Sequence, residues 1–290
     1  MAEIDMRGKI CLVTGSSSGI GRVTARELAR AGATVVMVCR NRAKGETAQK
    51  EIQEATGNTN VDLLLADLTS LADVRRLAGE YKQKYTQLHV LIHNAGGANS
   101  TRKLTPEGYE ATFALNYLAP FLLTRSLLDV LKASAPARVV NVSSMAHNNG
   151  QIDFADLQGE KRYNTWKAYS QAKLALILFT YELARQLQGT GVAVNALHPG
   201  VIASNFDQGL NSIMRLGWKL ITPFMSSVEQ GAKTTLYLAT SPDVEGISGK
   251  YFSERKEKQS SRLSYDLAVG QRLWQIAEEL AQAHVEAHSK

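Results

Sequence analysis

The amino-acid sequence predicts an α/β fold, one doubly wound parallel sheet with helices on both faces. Two observations carry this. Short apolar runs alternate with segments of helical periodicity along the 290 residues, and such alternation joins parallel strands through right-handed crossovers. A glycine-rich turn, Gly15-Ser-Ser-Ser-Gly19-Ile-Gly21, separates the first apolar run from the first helical segment. No repeat, low-complexity tract or linker interrupts the pattern, so a single domain is expected over 1–290.

The elements follow in order. Lys9 to Thr14 is the first strand, and Arg22 to Arg30 has the spacing of a helix that Gly32 closes. Ala33 to Cys39 is the second strand, followed by a polar helix over Ala43 to Ala55 that bears Ala48 and Ile52. Val61 to Ala66 is the third strand. Ser70 caps a helix whose face carries Leu71, Val74, Ala78, Tyr81 and Tyr85. Leu88 to Ile92 is the fourth strand and Pro106 to Lys132 a long helix. Arg138 to Val142 is the fifth strand, Trp166 to Gln188 another long helix, and Val192 to Leu197 the sixth strand. Residues 261–286 form a C-terminal helical extension.

Strand, glycine-rich turn and helix together make a Rossmann-type dinucleotide cradle. Glycines permit the tight turn and close backbone approach, while the helix N-terminus faces a pyrophosphate. The spacing here is GxxxGxG, preceded by Thr14. At the end of the second strand stands Cys39-Arg40-Asn41-Arg42, with no acid before Glu46. A carboxylate there would accept from the ribose of NAD; Arg40 instead suits a 2′-phosphate, which favours NADP(H). A solvated arginine at a strand end is the competing reading.

Tyr169 and Lys173 stand four residues apart and so share a helix face. A tyrosine titrating near its ordinary value of about 10 is a poor acid or base at neutral pH. An ammonium one turn away favours the phenolate, which makes the phenol usable for proton transfer. An isolated pair of this kind is usually a surface pair; its weight here comes from the glycine-rich turn in the same chain.

Composition narrows the partners. The net charge is +6, yet Lys and Arg are interspersed with acids and no basic stripe with interleaved aromatics occurs, so nucleic acid is not expected. Weak peripheral contact with an anionic membrane surface stays open, as does a homo-oligomer. Cys11 and Cys39 fall in the first two strands as small core residues, which suggests a reducing, cytoplasmic setting. Met1 to Lys9 is too polar for a secretory signal, and no apolar stretch nears the ~20 residues of a membrane span. The six His form no HExxH spacing, and no metal is expected.

Thr14-Gly-Ser-Ser-Ser-Gly-Ile-Gly21, Asp67-Leu68, Asn94-Ala-Gly96, Asn116, Val142-Ser-Ser144, Tyr169-Ser-Gln-Ala-Lys173 and His198-Pro-Gly200 occur in that order. In these residues the chain resembles the short-chain dehydrogenase/reductase family over nearly its whole length. It is most similar to the retinol dehydrogenase-like branch, through Cys39-Arg40, Ser143-Ser-Met-Ala-His147, Gly249-Lys-Tyr-Phe252 and Arg272-Leu-Trp274. The resemblance implies a catalytic set of Asn116, Ser144, Tyr169 and Lys173. It implies cofactor contacts from Gly15, Ser17, Ser18, Gly19, Ile20, Gly21, Arg40, Asp67, Leu68, Asn94, Ala95 and Gly96. Tyr169, Lys173, Pro199, Gly200, Val201, Ile202 and Ser204 complete that set.

In that scheme Tyr169 is the acid or base, Ser144 holds the substrate oxygen, Lys173 lowers the tyrosine pKa and binds ribose, and Asn116 supports a water relay. Ser143 is expected to point away from Ser144; His147 is read as a loop residue without chemistry, with lining of the substrate pocket the competing reading, and His198 is given no catalytic role. Ala203 and Ser204 stand where many relatives carry a threonine, and the segment from Met145 to Trp166 is longer than in the simplest members. Residues 204–227 are expected to form a small lid over the active site. Phe206, Leu210, Trp218, Phe224 and Met225 in it point to an apolar substrate, a retinoid-, steroid- or lipid-like aldehyde or ketone; packing of the lid on the body explains them equally. The expected activity is NADP(H)-dependent interconversion of carbonyl and alcohol by direct hydride transfer. Alternatives are a non-catalytic dinucleotide-binding regulator, against which the intact Asn116, Ser144, Tyr169 and Lys173 speak, and a light-dependent pigment reductase, for which no cysteine lies near the catalytic helix.

Overall fold

The apolar runs pair into one eight-stranded sheet in a computed structural model that describes residues 5–200 and 227–286, with side chains to residue 283. Val201, Ile202, Ser204 and nearly all of the expected lid lie outside the described residues. The strands are β1 (Ile10–Thr14), β2 (Thr34–Cys39), β3 (Val61–Leu65), β4 (Val90–His93), β5 (Ala137–Val142), β6 (Val192–His198), β7 (Lys250–Ser253) and β8 (Lys256–Lys258). Their spatial order is 3-2-1-4-5-6-7-8, and every neighbour pair is parallel except β7 with β8. The order reverses between β1 and β4, and a crevice at such a switch point is where doubly wound sheets bind ligands.

The inner strands read as continuous apolar runs because both of their faces are covered. Cys11 and Val13 pack on one side, Leu12 on the other; Val35, Met37 and Cys39 alternate with Val36 and Val38 in the same way. The first face is covered by α1 (Gly19–Arg30), α2 (Arg42–Thr56) and α8 (Val228–Thr240). The second is covered by α3 (Leu71–Lys84), α4 (Ala111–Phe113), α5 (Ala119–Ser126), α6 (Leu128–Ala133), α7 (Thr165–Gln186) and α9 (Leu267–Glu286). Ser70 caps α3 as expected, its hydroxyl accepting from Asp73 N at 3.3 Å. The result is a single α/β domain, and no helix among the described residues is long and apolar enough to cross a membrane.

Two expectations need correction. The long helix does not begin at Pro106. Gly108 sits at φ +84, outside helical space, and Leu104 and Glu110 close an antiparallel bridge around it. The helix starts at Ala111, where the buried Glu110 carboxylate accepts from the backbone N–H groups of Thr112 and Phe113 at 2.9 and 2.7 Å. It then widens into a π-helical turn over Ala114–Leu118 before α5. The pattern reading also stopped at six strands. β7 and β8 are four and three residues long, too short to show a period, and α8 is rich in Gly231, Ala232, Thr234 and Thr235 where an apolar stripe would have marked it.

Candidate active site

Thr14, at the end of β1, knots the switch point together. Its hydroxyl donates to Ile92 O at 3.2 Å and accepts from Asn94 N and Ala95 N, both at 3.0 Å. Asn94 returns the contact, donating Nδ2 to Thr14 O at 2.9 Å and Gly15 O at 3.2 Å. The glycine-rich turn therefore packs directly on the loop after β4. Gly15 holds φ +66, and a Cβ on Gly21 would fall 2.4 Å from Asn94 Nδ2 and Gly15 O, so a side chain there would force the turn apart.

The turn delivers the chain into α1 with Ser17, Ser18, Gly19 and Ile20 partly or fully open to solvent. Ser18 is the N-cap residue of α1 but makes no side-chain cap, and no acid occupies the first turn. Asn41, Ser70, Asn164 and Ser227 do cap α2, α3, α7 and α8. The leading N–H groups of α1 are thus left for an anion, as a dinucleotide pyrophosphate requires. The residues present fit that group. Arg40, at the end of β2, is exposed and lies 3.9 Å from Asp67 Oδ2. A cavity of about 280 Å³ is lined by Ser17, Arg22, Lys44, Thr47 and Glu51 among others. Arg22 in that lining pairs with Glu51 at 2.7 Å, and Asn41 Oδ1 accepts from Lys44 N at 2.9 Å, which fixes the start of α2. Arg22 and Lys44 were not singled out from the sequence, because only the fold brings α1 and α2 beside the same strand end. Asp67 accepts from Thr69 N and Oγ1 at 3.0 and 2.8 Å, and Leu68 is buried beside it.

The catalytic candidates come from three elements. Ser143 and Ser144 follow β5 and face opposite ways, as extended backbone dictates. Ser143 Oγ donates to Lys173 O at 3.0 Å. Ser144 Oγ accepts from Ala146 N at 3.2 Å and is hydrogen-bonded to the Tyr169 hydroxyl. Tyr169 and Lys173 sit one turn apart on α7, and Lys173 Nζ lies 5.7 Å from the Tyr169 ring centre. Nζ also donates to Val142 O at 2.9 Å. Asn116 stands in the π-helical turn, where Nδ2 donates to Gly97 O at 2.8 Å and Thr112 O at 2.7 Å. Its Oδ1 accepts from Gly97 N at 3.3 Å. A Cβ on Gly96 would meet Asn116 Oδ1 at 2.8 Å and Lys173 Nζ at 3.0 Å, so these three groups converge on one point. Pro199 and Gly200 follow β6, with Gly200 at φ +98.

The electrostatics correct one expectation. Burial pushes the Tyr169 phenol up to about 12, with the Ser144 hydrogen bond pulling the other way, and burial brings Lys173 down to about 7. The two groups each lose solvation, and burial outweighs their proximity, so spacing alone does not lower the phenol. His147 and His198 are both buried and held below the ordinary imidazole range by desolvation, His198 at about 4. His147, read from the sequence as a loop residue, is buried in the 3₁₀ turn Met145–Asn149.

The short chain dehydrogenase family model matches residues 9–214. Retinol dehydrogenase 12 of Mus musculus is 45% identical over 278 residues, covering 96% of this chain and 88% of that protein. An uncharacterised protein from Mycobacterium paratuberculosis superposes with a TM-score of 0.78 at 34% identity, covering 97% of this chain and 96% of that one. The Pseudomonas aeruginosa RhlG/NADP active-site complex superposes at 0.70 with 27% identity, covering 87% and 96%. The chain belongs to the short-chain dehydrogenase/reductase family, in its retinol dehydrogenase-like branch, and is an oxidoreductase of CH–OH/C=O groups.

Proposed function

We propose that this family member reduces a carbonyl on an apolar substrate with NADPH, and catalyses the reverse oxidation with NADP⁺. The observation that carries the reading is the Tyr169 hydroxyl bonded to Ser144, with Lys173 Nζ 5.7 Å from the same ring, in a chain whose α1 begins without a side-chain cap. When bound, the dinucleotide supplies or takes the hydride. The chain does the rest. Ser144, braced by Ala146 N, holds the substrate oxygen against Tyr169. Tyr169, protonated at neutral pH, gives its phenolic proton to that oxygen in reduction; in oxidation it first releases that proton through the relay past Lys173, and the phenolate takes the proton of the alcohol. Lys173, titrating at about 7, charges readily enough to neutralise the phenolate and also serves the ribose. Asn116 braces Gly97 against the π-helical turn and offers Oδ1 to a relay of protons past Lys173.

Ser17 to Gly21 would cradle the pyrophosphate, with Gly15, Asp67, Leu68 and Asn94 to Gly96 around the adenosine and Pro199 and Gly200 toward the nicotinamide. Val201, Ile202 and Ser204 belong to that contact set on family grounds. NADP is favoured over NAD by Arg40, by Arg22 and Lys44 in the cavity that Ser17 of the glycine-rich turn also lines, and by the bound NADP of the similar RhlG complex. The apolar residues of 204–227 and the retinol dehydrogenase relatives support a retinoid-, steroid- or lipid-like substrate. The test is a panel of apolar aldehydes, ketones and alcohols with each cofactor, followed at the reduced-nicotinamide absorbance. Turnover with NADPH of at least one long-chain or retinoid aldehyde is expected. Tight NADPH binding without turnover of any member would favour a regulator instead.

A further inference from the structure

We propose that His147 is a positioning residue that ties the backbone of Ser144 to the C-terminal segment at Ser261 through a single imidazole tautomer. The inference rests on the reading of Ser144 as the group that holds the substrate oxygen. His147 lies in the 3₁₀ turn Met145–Asn149 directly after that serine and is 1% exposed. Its Nε2 is 3.1 Å from Ser261 N, a residue 114 positions further along the chain. A backbone N–H can only donate, so Nε2 carries the lone pair. The single proton of the neutral ring is then on Nδ1, which lies 2.6 Å from Ser144 O, a group that can only accept. Both bond directions follow from the heavy atoms alone.

The far end of this relay is itself fastened. Ser261 O accepts from Ser264 N at 3.0 Å and Ser264 Oγ at 2.6 Å. Ser264 Oγ lies 2.6 Å from Ser260 Oγ, which lies 2.6 Å from the Tyr181 hydroxyl. Tyr181 is on α7, the helix that carries Tyr169 and Lys173. A closed circuit therefore runs from Ser144 through His147, Ser261, Ser264 and Ser260 back to the catalytic helix. It cross-braces the serine at the end of β5 against the tyrosine on α7. Among the described residues, the titratable groups facing His147 are Tyr251 of β7, with ring centres 4.9 Å apart, and His198 at the end of β6. Burial keeps Tyr251 protonated and both imidazoles neutral, as the relay requires.

Variants separate the circuit from the site. His147→Leu removes both bonds and keeps an apolar filling. Ser261→Pro removes the N–H and sets a ring carbon against the imidazole in its place: its φ of −59 suits proline, its carbonyl bonds remain, and the hydroxyl it loses has no partner among the described residues. Each single variant is expected to lower kcat roughly three- to tenfold, the worth of one hydrogen bond, with NADPH affinity unchanged. The double variant should be no slower than the worse single one, because both cut the same relay. His147→Asn, which keeps a donor for Ser144 O but cannot reach Ser261, should recover part of the loss seen with leucine. If leucine prevents folding, judged by thermal denaturation, the asparagine and proline variants carry the same test. Full kcat in His147→Leu and Ser261→Pro alongside a dead Ser144→Ala would overturn the relay and leave the site reading intact. Additive losses would overturn it too. An active Ser144→Ala would overturn the site reading and the relay with it.

Discussion

Tyr169 and Lys173 show how burial and proximity compete at the scale of single residues. Both lose solvation on α7, and both are pushed toward their neutral forms, the phenol to about 12 and the amine to about 7. A neutral tyrosine in hydrogen-bond contact with Ser144 suits a proton donor, so Tyr169→Phe should cut turnover by about 10²–10⁴ while leaving the ring's packing unchanged. Steady-state rates and NADPH fluorescence titration check the two halves separately, and near-normal rates would remove Tyr169 from the chemistry. Gly96→Ala should also slow turnover, by displacing Lys173 or Asn116 from the point where a Cβ would intrude at 3.0 and 2.8 Å. Rates and Tm measured together would distinguish that from misfolding. Arg40 is exposed enough to meet a 2′-phosphate, and a charge-assisted bond there is worth about 1.5–3 kcal/mol, or roughly ten- to a hundredfold in NADPH affinity. Cys39→Asp with Arg40→Ala should therefore move preference toward NAD, partly through repulsion of the phosphate. Wild type that binds NADH as tightly as NADPH would reduce Arg40 to a solvated side chain.

At the scale of elements, α9 covers the outer face of α5 and α7. Leu273, Trp274 and Ala277 are buried there, with Trp274 edge-on to Phe121 at 4.9 Å and stacked on Phe179 at 5.8 Å. Tyr117 donates to Leu273 O at 3.0 Å and Tyr109 to Leu280 O at 2.7 Å, while Arg75 reaches Ala281 O. The long segment before α7 is drawn into the same layer. Phe154 lies under the Arg272 guanidinium at 4.1 Å, and Tyr163 donates to Asn99 O at 2.9 Å. Trp274→Ala should cost about 3–5 kcal/mol by loss of buried ring area and cavity formation. Urea unfolding reads this directly; a loss below ~1 kcal/mol would mean that α9 is only laid against the body.

For the whole molecule, buried neutral histidines set an acid limit. His93, whose Nε2 is 2.7 Å from Thr124 Oγ1, is lowered to about 3 and His198 to about 4, against an ordinary 6.5. His147 is lowered as well. Below pH 6.5 the unfolded chain takes up these protons and the folded chain does not, so stability falls as pH falls toward the folded values. The slope approaches about 1.4 kcal/mol per pH unit for each such histidine. Carboxylates lowered by ion pairs act with the same sign but only below their ordinary range, near 4. The interval between pH 6.5 and 5 therefore belongs to the imidazoles. Lys173 follows the same sign in a higher window: its burial penalty is full below about 7 and fades toward 10.5. Urea midpoints at pH 7.5 and 5.0 should differ clearly, and a flat profile over that interval would contradict the buried neutral state.

The alternation of apolar runs and helices and the glycine spacing after β1 were enough by themselves to determine the doubly wound sheet, and the ordered motifs from Thr14 to Gly200 carried the resemblance to the family. Those signals are local: side-chain period, turn chemistry and one helical turn are written in neighbouring residues. What the tertiary structure decided was non-local or lacked a period. The start of the Asn116 helix depended on Gly108 and the Glu110 cap, and β7 and β8 were too short to announce themselves. The charge states of Tyr169 and Lys173 followed from their burial, which spacing cannot report. Arg22 and Lys44 met at one cavity only because α1 and α2 pack beside β2. His147 looked like a loop residue until the fold set Ser261 against it across 114 positions, because a hydrogen bond between distant segments exists only once the chain has closed.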